Sequence, residues 1–164
     1  MRKLLLLVLP LAVSAAEVPA SHYAPLAYLA GSCWQGDLPG GKDVDTHCFG
    51  WVYGEKFLRD EHKVHGPGHQ DYLGETIYFW DAAGHRLQYL YIESAGGSSL
   101  GTVEAAGHTL VFPDSSYQEA GQTRVYRSRW QQNGADAYDV ITEFKSKDAW
   151  VPGFSAHMKR IAGK

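Results

Sequence analysis

The stretch THCFGWVYGEKFLRDEHKV, residues 46–64, predicts a β-hairpin and indicates the class of the fold. Two strand-like runs of aromatic, β-branched and polar residues flank Gly54-Glu55, and glycine at the first central position suits a two-residue type II′ turn. A turn of that length sets His47 directly opposite His62, with β-carbons about 5 Å apart. The sequence therefore predicts that the two histidines meet across a pair of strands.

Alternation along each strand decides which side chains share a face with these histidines. That face is rich in aromatic bulk, which favours it as the interior, and it carries His47, Phe49, Trp51, Leu58, Asp60 and His62. Two imidazoles and a carboxylate on one wall fit three roles: a structural polar cluster, contacts to the polar head of a ligand, or transition-metal binding. We predict no bound metal or other cofactor. Glu75 is a candidate further member, and its facing depends on the loop DAAG at 81–84.

The rest of the chain reads as further short strands separated by Gly, Asn and Asp turns. The predicted runs are 31–36, 44–53, 56–65, 72–80, 86–93, 98–104, 108–113, 123–131, 136–145 and 155–161. One short N-terminal helix is predicted in SHYAPLAYLAG, residues 21–31. Tight turns between consecutive strands predict an all-β, antiparallel up-and-down meander of about ten strands. Closure into a barrel is the usual way to remove the edges of such a sheet.

A helical turn, then LAGSCWQG at 29–36, then a meander of strands resembles the calycin or lipocalin-like barrels. In particular, the chain resembles the small bacterial exported members of uncharacterised function. Lipocalins begin with Gly-x-Trp, whereas two residues separate Gly31 from Trp34 in this chain. The resemblance implies a barrel whose interior binds a small apolar molecule, and it implies no particular ligand.

The first twenty residues, MRKLLLLVLPLAVSAAEVPA, have the pattern of a secretory signal. Arg2 and Lys3 precede an apolar run at 4–13, which is too short to span a bilayer, and small residues follow near Ala16. We therefore predict a signal peptide at 1–16 and a single lipocalin-like β-barrel domain at 17–164. The protein is expected to be periplasmic or secreted, with no membrane insertion after cleavage. Its 18 acidic residues outnumber the basic ones, which argues against nucleic acid as a partner.

Cys33 and Cys48 are predicted to form a structural disulfide between the first two strands. A turn centred near Gly40-Gly41 would place them directly opposite each other, at a Cα separation within disulfide range. An oxidising compartment favours the bond over two buried free thiols.

A second hairpin, QTRVYRSRW and DAYDVITEFK around Asn133-Gly134, offers a candidate anchor for a carboxylate. A two-residue turn there pairs Arg124 with Glu143, as on a solvated face, and so turns Arg127 inward. The alternative is that Arg127 lies exposed or at the rim, because an interior arginine is costly unless it is paired.

The predicted function is binding of a small, mostly apolar molecule with a polar head inside an exported barrel; the oligomeric state stays open. The candidate contact residues are Trp34, His47, Trp51, Asp60, His62, Glu75, Tyr91 and Arg127. An enzyme using a histidine–carboxylate pair, an isomerase or hydrolase, is an alternative, although no catalytic motif supports it. A haem-binding barrel similar to nitrobindin is another, although WQGDLPGG at 34–41 lacks the expected motif and His157 does not match the spacing of a ligand.

Overall fold

The computed structural model describes residues 20–161, so the predicted signal peptide lies outside the described residues. A single helical turn, α1 (Ala20–Tyr23), continues into a 3-10 turn (Ala24–Leu26). Ten strands follow: β1 (Ser32–Asp37), β2 (Val44–Val52), β3 (Phe57–His65), β4 (Tyr72–Asp81), β5 (Arg86–Glu93), β6 (Ser98–Ala106), β7 (Thr109–Glu119), β8 (Gln122–Gln132), β9 (Ala137–Ser146) and β10 (Ala149–Ile161). No helix in this part of the chain is long and apolar enough to cross a membrane.

The strands form a closed antiparallel barrel in which each strand pairs with the next and β10 pairs with β1. The predicted all-β meander is confirmed, but in place of the helix predicted over 21–31 the chain has only the single turn α1 and the 3-10 turn. The register of the first hairpin is also as predicted, with His47 opposite His62 and Trp51 opposite Leu58. The connection itself differs from a type II′ turn, because Tyr53, Gly54 and Glu55 all have positive φ.

The predicted disulfide is present between β1 and β2. Cys33 and Cys48 face each other in the ladder with their Cα atoms 4.0 Å apart, and their sulfurs are bonded. Gly40 and Gly41 in the connecting turn both have positive φ, which glycine adopts without steric cost. Because disulfides persist in oxidising compartments, this bond suggests a non-cytoplasmic protein.

Two strands are longer than the sequence predicts, because each crosses a proline at a bulge. β7 shifts register between Phe112 and Ser115, around Pro113, and β10 shifts between Pro152 and Phe154. In β7 the bulge leaves Pro113 outside the ladder, so its missing N–H costs no paired hydrogen bond there. In β10 the residue outside the ladder is Gly153, and Pro152 stands beside it, opposite Glu143.

The segment before β1 closes one end of the barrel. The hydroxyl of Tyr23 donates to the carbonyl of Lys56 at 2.7 Å and accepts from the Trp80 N–H at 3.2 Å, which joins the segment to β4 and to the loop before β3. Leu26 and Leu29 are fully buried. This segment acts as a plug, and the opposite end of the barrel is left to the loops between strands.

The predicted register of the second hairpin was wrong. Residues 133–136 join β8 to β9, and Glu143 pairs with Arg127 instead of Arg124. Arg127 consequently lies on the outer surface, where its Nε donates to the Glu143 carboxylate at 2.8 Å and its guanidinium lies over the Trp150 ring. The loop is longer than two residues because the Asn133 N–H is bonded to the carbonyl of Ala137, which moves every pair along the strands.

Candidate functional site

The barrel encloses a cavity of about 660 Å³ that reaches the loops at the end opposite the plug. Its deep part is aromatic, with Phe112 and Trp130, and its mouth carries charged side chains such as Glu119 and Arg124. A volume of this size is typical of small-molecule sites. The closed sheet produces the cavity because inward side chains of ten strands leave space at the centre instead of filling it.

One wall of the cavity, on β2 and β3, carries two histidines and two aspartates that we call the His/Asp cluster: Asp45, His47, Asp60 and His62. His47 Nδ1 lies 2.7 Å from Asp60 Oδ2, and its Nε2 lies 3.3 Å from Asp45 Oδ2. The rings of His47 and His62 stack with centroids 4.2 Å apart. Asp45 and Asp60 are almost fully buried, at 5% and 1% exposure.

The two carboxylates control the charge of His47. Burial alone would lower the pKa of His47, but attraction to Asp60 and Asp45, with hydrogen bonds to both, raises it to about 10. Burial likewise opposes the charge on Asp45, but the adjacent His47 outweighs it and holds the pKa of Asp45 well below its usual range. In this form of the cluster an imidazolium lies between two carboxylates.

The contact between His62 and Asp45 is of a different kind. Their Nε2 and Oδ1 atoms are 2.7 Å apart, but the approach lacks the direction of a hydrogen bond. Both atoms, and Oδ1 of Asp60, therefore have no hydrogen-bond partner within the described residues. Buried polar atoms of this kind are uncommon in native proteins and call for an explanation.

Paired hydroxyls line much of the remaining cavity wall. The hydroxyls of Tyr72 and Tyr91 are 2.5 Å apart, and Tyr126 bonds to Tyr89 at 2.7 Å and to Ser99 at 3.1 Å. Burial raises the pKa of Tyr91 and of Tyr126, so these hydroxyls remain neutral donors. The cavity thus combines aromatic faces with fixed hydroxyl dipoles, an environment that suits a ligand with both apolar and polar parts.

The structure brings together four of the predicted contact residues and places four elsewhere. His47, Asp60, His62 and Tyr91 line the cavity. Trp34 and Trp51 point inward but pack at the plugged end, Trp34 against Tyr138 and Trp51 against Tyr23. Glu75 lies outside, 4.0 Å from Arg59, and Arg127 lies outside as described above.

Asp45 was missed as a member of the cluster, although the signal was present. It stands two residues before His47 on β2, and alternation along a strand puts both on the same face. Tyr126 was missed for a different reason, since its inward facing follows from the unpredicted register of β8 and β9.

Fold and site together define a closed ten-stranded antiparallel β-barrel with an internal cavity, a shape compatible with lipocalin-like barrels. No protein-family model matches the chain, and no curated protein matches it by sequence. The chemistry of the cavity is therefore the basis on which a function can be inferred.

Proposed function

We propose that this protein is an exported barrel that binds a small, mostly apolar molecule with a polar head in its interior. The observation that carries the proposal is the cavity of about 660 Å³, with aromatic side chains at depth and the His/Asp cluster on one wall. The apolar part of a ligand would pack against Phe112 and Trp130, and the polar head would meet the cluster.

The mouth of the cavity also supports binding of a small molecule in the interior. The mouth carries Asp43, Glu119 and Arg124, side chains that a ligand would pass before reaching the aromatic interior. The plug closes the other end, so the ligand would enter and leave through the loops.

The proposal places the protein in the periplasm or outside the cell. The tripartite pattern of residues 1–16 and the Cys33–Cys48 disulfide both support export. The resemblance to exported lipocalin-like barrels supports the same location.

The enzymatic and haem-binding alternatives have less support. Both ring nitrogens of His47 are directed at carboxylates, which leaves neither nitrogen facing a substrate as a general base requires. His157, a candidate haem ligand, lies on the outer surface, where it bonds to Asp139 at 2.5 Å.

Native mass spectrometry of tag-free protein, gently purified from the exporting host, tests the proposal. We expect a non-covalent mass of one small molecule per chain that is lost on denaturation and can then be identified. A sample of bare chain that also takes up no member of a library of apolar amines, alcohols and acids would contradict the proposal.

A further inference from the structure

The His/Asp cluster has a charge pattern that a divalent cation would balance. Asp45 and Asp60 bring two carboxylates into a buried wall, and their nearest side-chain contacts in the cluster are imidazoles. Buried carboxylates are costly unless they are paired or coordinate a metal. One divalent ion balances both carboxylates and leaves both imidazoles neutral, the form in which histidine binds metals.

The candidate ligand atoms, one each from Asp45, His47 and His62, lie within 4.8 Å of one another. Nε2 of His62 and Oδ1 of Asp45 are 2.7 Å apart, and Nε2 of His47 is 3.3 Å from Oδ2 of Asp45. Tetrahedral coordination at metal–ligand distances of about 2.0–2.2 Å places neighbouring ligand atoms about 3.4 Å apart. The His47–Asp45 pair therefore already fits, and the His62–Asp45 pair needs to separate by less than an ångström. We propose that Asp45, His47 and His62 bind a transition-metal ion of the zinc class.

The unpartnered atoms provide an observation independent of the clustering. Oδ1 of Asp45 is buried on a residue that is 5% exposed, and it faces Nε2 of His62 without a directional hydrogen bond. A metal ion bound by both atoms would accept a lone pair from each of them. The contact is therefore explained by coordination and is not explained by hydrogen bonding.

Asp60 supplies the outer partner that metal-binding histidines usually have. Its Oδ2 lies 2.7 Å from Nδ1 of His47, so Nδ1 would keep its proton when the ion binds, and Nε2, 3.3 Å from Asp45, would give up its proton and become the metal ligand. Such carboxylate–histidine pairs fix the tautomer and orientation of the ligand. Asp60 is thus a positioning residue and not a ligand.

One ring must turn for both imidazoles to bind the same ion. The rings are nearly parallel, at 11°, and a metal ion must lie in the plane of each ring that binds it. His62 is the ring that can turn at lower cost, because no directional hydrogen bond holds its Nε2, whereas both nitrogens of His47 are bonded. Gly74 lies opposite His62 on β4, and a β-carbon there would come within 3.1 Å of its Nδ1, so the glycine leaves space for the ring.

Three protein ligands leave at least one coordination position, and the cavity is on that side of the cluster. Zinc sites with three protein ligands keep an open position for water or another molecule. The inference goes beyond the proposed function and does not depend on it, since metal binding is measured without any organic ligand. The metal-site proposal can therefore fail without affecting the proposed ligand binding, and the reverse also holds.

Zinc titration of the mature, tag-free, oxidised protein, stripped with EDTA, tests the site. We expect competition with a chromophoric chelator to give one Zn²⁺ per chain, and Co²⁺ to give visible absorption bands. H62Q and D45N should each weaken Zn²⁺ binding by at least about 100-fold, and D60N by about 10- to 100-fold.

The matched control is H65Q, which removes another β3 histidine that is paired with a carboxylate, Asp71, but is exposed at the surface. It should bind Zn²⁺ as the wild type does. Equal affinity of wild type and H62Q, or an equal loss in H65Q, would overturn the proposal. X-ray absorption of zinc-loaded wild type needs no variant: scattering from two imidazoles supports the site, and a shell of oxygens alone contradicts it.

Discussion

His47 directs one ring nitrogen at each of two buried carboxylates, Asp60 and Asp45, and its positive charge offsets theirs. The hairpin around Gly54 gives the pairing with His62, because a short connection fixes the register. The same alternation includes Asp60 on the face. The hydrogen bonds themselves depend on side-chain rotations inside a packed wall, which no sequence pattern encodes.

At the residue scale, the metal-free protein should lose stability as the pH rises above neutral. The pKa of His47 is raised to about 10 by Asp60 and Asp45, so its charge stabilises the fold fully below about pH 6.5 and ceases to do so toward pH 10. The free energy of unfolding should fall by about 1.4 kcal/mol per pH unit across that window, relative to H47Q. The lowered pKa of Asp45 removes stability only in acid, below about pH 4.

Urea unfolding in EDTA, at about pH 6, 8 and 9.5, measures this difference between wild type and H47Q. Using the difference cancels the other groups that titrate in both proteins. A difference that stays constant over the three pH values would show that His47 is not charged in the folded state.

At the element scale, the strands and their order follow from the sequence, and the exact pairing follows only in part. The register of β2 with β3 was predicted correctly because Gly54 marks the turn. The register of β8 with β9 was predicted incorrectly, because the loop around Asn133-Gly134 is longer than two residues. Because of this incorrect register, Arg127 was predicted to face inward, whereas it lies on the outer surface. The second half of β7 was not predicted, because a proline such as Pro113 ordinarily argues against a continuing strand. In the structure the strand continues through a bulge at this residue.

The disulfide between β1 and β2 should contribute substantially to stability. The double variant C33S/C48S removes a cross-link with a sequence separation of 15 residues, and we expect the free energy of unfolding to fall by about 3 kcal/mol in urea. Reduction of the wild type should produce a similar loss. A change below about 1 kcal/mol would mean that the cross-link does not restrict the unfolded chain as proposed.

The plug should depend on the Tyr23 hydroxyl. Y23F leaves the Lys56 carbonyl and the Trp80 N–H without that partner, which should cost about 1–3 kcal/mol of unfolding free energy. Y53F is the control, because Tyr53 is 78% exposed and its hydroxyl forms no hydrogen bond within the described residues. Equal urea midpoints for the two variants would contradict the role of Tyr23 in closing the barrel.

At the scale of the whole molecule, closure of the sheet explains both the cavity and its restricted access. The meander and its closure were predicted from tight turns between successive strands, and the structure confirms both. The size of the cavity was beyond prediction, because it depends on how side chains from all ten strands meet at the centre. Tyr126 and Trp130 line the cavity because of the register in which β8 pairs with β9, and that register was not predicted.

The most direct test of the central claim is binding of the neutral apolar probe N-phenyl-1-naphthylamine, followed by its fluorescence. Val64 lines the cavity near its mouth, and the neighbouring Lys63 points outward, with its side chain 51% exposed. We expect saturable binding of one probe per chain, weakened at least about ten-fold by V64W and unchanged by K63W. Equal binding by V64W and K63W, or no saturable binding to the wild type, would contradict the claim that the barrel interior receives a small molecule.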